Sequence, residues 1–85
     1  MASYKIELKK SATKEIEKLP QKVLHRILEK IQLLSHDPRP QGCKKLSREE
    51  KYRIRIGEYR VLYEIVDDRL IVYVVKVSHR KDVYR

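Results

Sequence analysis

Two stretches of this chain hold residues suited to chemistry on an anion. The first is Y-R-I-R-I-G-E-Y-R at 52–60, and the second is H-R-K-D-V-Y-R at 79–85. In the first, Tyr52, Ile54 and Ile56 alternate with Arg53 and Arg55, which marks a strand with one buried and one exposed face. Gly57-Glu58 reads as a two-residue hairpin loop. That loop sets Ile56 opposite Tyr59, Arg55 opposite Arg60, Ile54 opposite Val61 and Arg53 opposite Leu62. Arg53, Arg55 and Arg60 then share the exposed face. Like charges directly opposite each other cost a sheet roughly a few tenths of a kcal/mol up to about 1. Stability does not explain such a choice, whereas a bound anion does, because guanidinium meets phosphate with two parallel hydrogen bonds. The alternative is a solvated face whose arginines are screened by salt.

The second stretch follows an apolar strand. If that strand is antiparallel to its neighbour, His79, Arg80, Lys81, Tyr84 and Arg85 emerge beside Arg60 and the Gly57 turn. Histidine, arginine and tyrosine would then converge on the arginine face, with Val83 and Tyr84 docked on the sheet to hold the tail. The chain has no Gly-rich phosphate loop, no H-E-x-x-H and no acidic pair placed for Mg²⁺. Metal-free phosphodiester cleavage fits what is present. RNA brings its own nucleophile, the 2′-OH, so the protein must position the strand, neutralise phosphate and move two protons. Arginines serve the phosphate. His79 or Tyr84 would carry the protons, histidine being the better carrier near neutral pH and tyrosine able to stack on bases. His25 and His36 read as surface helix residues, and Cys43 as structural or incidental.

The elements that must position these groups are short. Residues 4–8 alternate Tyr4, Ile6 and Leu8 against Lys5 and Glu7, a first strand. Ser11 suits a helix N-cap, with Ala12, Ile16 and Leu19 on one face of the helix that follows. Pro20 stops that helix or opens the next at its first position. Over residues 21–35, Val23, Leu24, Ile27, Leu28, Ile31 and Leu34 trace one helical stripe, and the two helices form an antiparallel pair. D-P-R-P-Q-G at 37–42 breaks the pattern. Residues 44–51 form a basic connector carrying Lys44, Lys45, Arg48 and Lys51. The Arg53 strand follows and turns at Gly57. A strand at 59–66 turns at Asp67-Asp68 into the last one, 70–77. That strand is apolar on both faces and so central. The order is β-α-α-β-β-β. This is an α+β fold with two antiparallel helices on one face of a mainly antiparallel four-stranded sheet, in one domain spanning 1–85.

Composition agrees with an anionic partner. The chain has 85 residues, 39% of them charged, and a net charge of +9, an excess that favours a polyanion or an acidic protein. Its 41% hydrophobic content suits a folded domain with one modest core. The lone Cys43 forms no intramolecular disulfide and fits a reducing cytoplasm. No signal peptide or membrane-spanning run is expected.

The runs Y-R-I-R-I-G-E-Y-R-V-L-Y-E-I and V-Y-V-V-K-V-S-H-R-K-D-V-Y-R, with P-x-G-x-K-K-L between helices and sheet, resemble the RelE/ParE superfamily of toxin–antitoxin toxins, the RelE branch most closely. The resemblance spans nearly the whole chain. It implies a RelE-like fold and a small basic mRNA endonuclease that inhibits translation. Such an enzyme works at the ribosomal A site, without metal or cofactor, by attack of the 2′-OH, and a cognate antitoxin silences it. By position, Arg60 resembles the strand arginine on the scissile phosphate, and Arg80 the second arginine of the transition state. Tyr84 resembles the terminal tyrosine credited with nucleotide orientation or base catalysis. Arg53 and Arg55 stand where some members have two lysines. Arginine keeps its charge and trades no proton, so these two offer only charge, and His79 gains weight as proton carrier. Arg53, Arg55, Lys44, Lys45, Arg48, Lys51 and Lys81 would contact RNA. A ParE-type toxin that binds DNA gyrase on the same scaffold, or a nucleic-acid-binding module without catalysis, are the competing readings.

Overall fold

The alternation at 52–65 becomes a hairpin whose apolar half closes the core. In a computed structural model, which describes residues 3–46 and 51–81, the hairpin strands are Lys51–Ile56 and Tyr59–Val66. Tyr52, Ile54, Ile56, Val61, Tyr63 and Ile65 are all buried. Their register pairs Ile56 with Tyr59, Arg55 with Arg60, Ile54 with Val61 and Arg53 with Leu62, as the loop length requires. Gly57 takes φ 61, a left-handed value that a side chain resists and a tight hairpin loop needs.

In chain order the elements are β1 (Lys5–Leu8), α1 (Lys10–Glu17), α2 (Gln21–Leu33), β2 (Lys44–Lys45), β3 (Lys51–Ile56), β4 (Tyr59–Val66) and β5 (Ile71–His79). The sheet order is β1-β5-β4-β3-β2. β5 runs parallel to β1 and antiparallel to β4. It is therefore interior, which accounts for its apolar residues on both faces. α1 packs on β5 and α2 on β3. Ala12, Ile16, Ile27, Ile31 and Leu34 meet the inner sheet face in one buried cluster.

Several expectations need correction. The sheet has five strands, because Lys44 and Lys45 pair with Arg53 and Tyr52 along the free edge of β3. Two residues carry no readable alternation, so only the neighbouring edge reveals this strand. Ser11 lies inside α1. The N-cap is Lys9, which makes no side-chain cap bond. Its N–H donates to the Val74 carbonyl at 2.8 Å, so sheet pairing carries the chain from β1 into the helix, whose cap lies two residues before Ser11. Pro20 is the N-cap of α2 and not its first residue. On the α2 stripe, Ile27, Ile31 and Leu34 are buried while Leu28 is exposed. Leu28 is one residue, about 100° of helix rotation, from the buried line. The Asp67 turn is a 3₁₀ turn, Asp67–Arg69, closed by Leu70 at φ 55, so β5 starts at Ile71.

The breaker segment is tied to the end of the sheet. The Tyr63 hydroxyl donates to the Pro38 carbonyl at 2.8 Å. Arg39 donates from Nε to the Tyr52 hydroxyl at 3.0 Å and from Nη2 to Asp67 Oδ2 at 2.9 Å. Tyr4 adds a bond from its hydroxyl to Asp67 Oδ1 at 2.6 Å. The buried Tyr63 hydroxyl needs such a partner, and the exposed bonds at Asp67 join three segments distant in sequence.

Candidate active site

Arg55 and Arg60 stand directly opposite each other beside the β3–β4 turn. β5 brings Arg80 to the same place, since Tyr59 pairs with His79 and Arg60 with Ser78. The Arg80 N–H then donates to the Glu58 carbonyl at 2.7 Å. A pocket of about 200 Å³ opens here, lined by Arg55, Gly57, Glu58, Tyr59, Arg60 and Arg80. Among the described residues, no carboxylate pairs with any of the three arginines. Arg60 Nε is buried there without a hydrogen-bond partner. A buried N–H left unpaired is costly and demands a reason, and an anion seated between the guanidinium groups supplies one.

Arg53 extends the cluster along β3. Its pKa is lowered from the ordinary arginine value, first by desolvation and then by the charges of Arg60 and Arg55. The guanidinium groups thus repel one another without an anion between them. Lys44 faces Arg53 across the edge pair and continues the basic row, whereas Lys45 pairs with Tyr52 and belongs to the opposite side. Lys51 lies opposite Glu64 and bonds it at 3.9 Å, so part of its charge is answered locally. Lys81 is exposed just past β5. Arg48, Tyr84 and Arg85, with the expected docking of Val83 and Tyr84, lie outside the described residues.

The expected convergence of His79 on the arginine face does not occur. Its ring packs edge-on against Tyr59, with centroids 5.0 Å apart and planes at 86°, and Tyr59 packs against the core beneath the helices. His79 therefore borders a separate cleft of about 420 Å³ with Glu15, Lys18, Leu19 and Lys76. The alternation of a strand explains this: Arg80, one residue on, turns to the other side. His79 Nε2 lies 3.2 Å from Glu58 Oε2, and the Lys81 N–H donates to Nδ1 at 3.1 Å. Because Nδ1 accepts, Nε2 carries the proton of the neutral ring and donates to the carboxylate. Glu58 was legible only as a turn residue, and no sequence signal marked its contacts. His25 and His36 are exposed, and the half-buried Cys43 packs on the core.

The fold and this site define a class of small basic α+β proteins that gather arginines beside a hairpin turn of the sheet. Within it, the family described as the ParE toxin of the type II toxin–antitoxin system parDE matches residues 6–84, and the chain belongs to this RelE/ParE superfamily of toxins. Toxin RelG of Mycobacterium tuberculosis is 35% identical over 85 residues, covering 96% of this chain and 97% of that protein. The mRNA interferase toxin RelE of Escherichia coli K12 is 26% identical over 81 residues, covering 93% and 85%. Among solved structures, the RelBE2 toxin–antitoxin complex of M. tuberculosis superposes with a TM-score of 0.82 at 32% identity, covering 93% of this chain and all of that one. The isolated E. coli RelE toxin also gives 0.82, at 27% identity, covering 96% and 92%.

Proposed function

We propose that this toxin is a cytoplasmic, ribosome-dependent mRNA endonuclease. It cleaves by attack of the ribose 2′-OH on the adjacent phosphate without a metal, and a cognate antitoxin silences it. The observation that carries this reading is the pocket of Arg55, Arg60 and Arg80, with a buried Arg60 Nε and, among the described residues, no carboxylate within ion-pair distance of the three. Arg60 and Arg80 hold the scissile phosphate and meet the charge that grows on its oxygens, a task worth most where donors are fixed in advance. Arg53 and Arg55 add charge, and Lys44 meets RNA backbone along the same face. Tyr84 orients a nucleotide or moves a proton. The names of the relatives support the activity, since one is an mRNA interferase, and the neighbouring complexes support an antitoxin as partner. Residues 1–85 serve as one toxin domain.

The matched family description favours a second reading, a ParE-type toxin that acts on DNA gyrase. Fold does not decide between them. Purified protein added to translating ribosomes should produce mRNA cut within codons, and the same protein should leave gyrase supercoiling unaffected. Inhibited supercoiling with intact mRNA would replace the nuclease reading by the gyrase one.

A further inference from the structure

Arg80 reaches the pocket from the end of β5, which there has a strand neighbour on its β4 side only. β1 ends at Leu8 opposite Val74, so beyond that point β5 has no strand on its β1 side. Glu15 of α1 covers part of the gap, accepting the Val77 N–H at 2.9 Å and pairing with Lys76 at 3.5 Å. Past Ser78 the described contacts run to Glu58 and Tyr59 in the hairpin. Glu58 takes two of them: its carbonyl accepts the Arg80 N–H, and its carboxylate accepts His79 Nε2. His79 in turn accepts the Lys81 N–H and is braced edge-on by Tyr59. His79 is thus fastened to the turn that lines the pocket, and Lys81 is fastened to His79.

We propose that Glu58 and His79 form a staple that positions Arg80 in the anion pocket, His79 acting through Glu58 as a positioning residue. This rests on the RNA-cleaving reading above and adds to it a turn residue and a different task for the histidine. A ring committed at both nitrogens to protein partners, on the far side of the sheet from the arginines, is placed to hold geometry. Small displacements of a phosphate-binding group are costly, about 10²-fold for a shift near 1 Å.

The test uses the full chain and reads both ribosome-dependent cleavage and equilibrium binding of a 2′-O-methyl RNA oligonucleotide, with thermal melting as the check on folding. Glu58→Ala and His79→Ala should each lower both readouts by about 10- to 100-fold, and the double variant should be no worse than either. His79→Gln should recover most of the loss, because its amide still donates to Glu58. In an Arg80→Ala background, Glu58→Ala should weaken binding no further, since the staple acts through Arg80. Two results would overturn the proposal. One is His79→Gln as inactive as His79→Ala beside a normal Glu58→Ala, which marks a proton carrier. The other is equal weakening by Glu58→Ala with and without Arg80, which marks a general effect on the fold. If wild type neither binds nor cuts RNA, the nuclease reading falls alone, and the same variants titrated with inorganic phosphate decide the staple.

Discussion

Arg60 combines a buried, unpartnered Nε with a like charge directly across the strand pair. Both features cost stability, so its removal should spare the fold while harming function. Arg60→Ala should lower cleavage by about 10²- to 10³-fold, the range seen when one preorganised donor is lost, and exceed any lysine change at 44, 45 or 51. Its unfolding free energy should be no lower than that of wild type, measured by urea titration. Wild-type cleavage by this variant would remove Arg60 from the site. The proton question separates two residues. Tyr84→Phe keeps the ring and loses the hydroxyl, so it should fall by about 10²- to 10⁴-fold if tyrosine moves a proton. His79→Gln should fall far less, because the His79 ring already serves Glu58 and Lys81. Single-turnover rates on ribosome-bound mRNA give the order, and the reverse order would return the proton to His79.

Between elements, the decisive contact is the clamp of Arg39, Asp67 and Tyr4. It joins the 37–42 segment, the β4–β5 turn and the residue before β1. Asp67 has its pKa lowered from the usual carboxylate value, first by the hydrogen bond from Arg39 and then by that from Tyr4. A depressed pKa means the folded state favours the ionised form. Its stabilisation is therefore complete above the ordinary carboxylate range and disappears as pH falls through the lower, folded value. Asp67→Asn should accordingly melt lower than wild type at neutral pH, with the gap closing in acid. Parallel melting curves from neutral to strongly acidic pH test this, and a gap independent of pH would assign the loss to something other than the charge. The β3–β4 turn is the other element-scale constraint. Gly57→Ala forces a side chain to φ 61 and should cost about 1 kcal/mol, read from denaturant midpoints.

Over the whole molecule, the +9 charge sets how partners arrive. The basic face runs from Lys44 through Arg53 and Arg55 to Arg60 and Arg80, with part of Lys51 answered by Glu64. Binding to single-stranded RNA should weaken with salt, each neutralised phosphate adding about −0.7 to the log–log slope. If Arg55 meets a phosphate beside the one that Arg60 and Arg80 hold, replacing it should make the slope shallower by one such step, measured by fluorescence anisotropy. The antitoxin should associate faster at low ionic strength for the same reason. A rate indifferent to salt would count against electrostatic capture.

The sequence by itself determined the hairpin, its register and its arginine face. Strict alternation around a two-residue loop leaves one pairing that buries Tyr52, Ile54 and Ile56. It determined the two helices and the interior place of β5 for the same reason, since periodic apolar residues must find a core. It also held the superfamily resemblance in the motifs around Arg60 and Arg80. Tertiary structure decided what local pattern does not encode. The Lys9 helix start and the Arg39 clamp join segments distant in the chain, whose hydrogen bonds form only once the sheet is assembled, and the two-residue β2 shows itself only by its pairing with the neighbouring β3. The same holds for His79. Side chains alternate along a strand, so His79 and Arg80 part to opposite faces, and only the pairing of β5 with β4 settles which of the two meets the arginines.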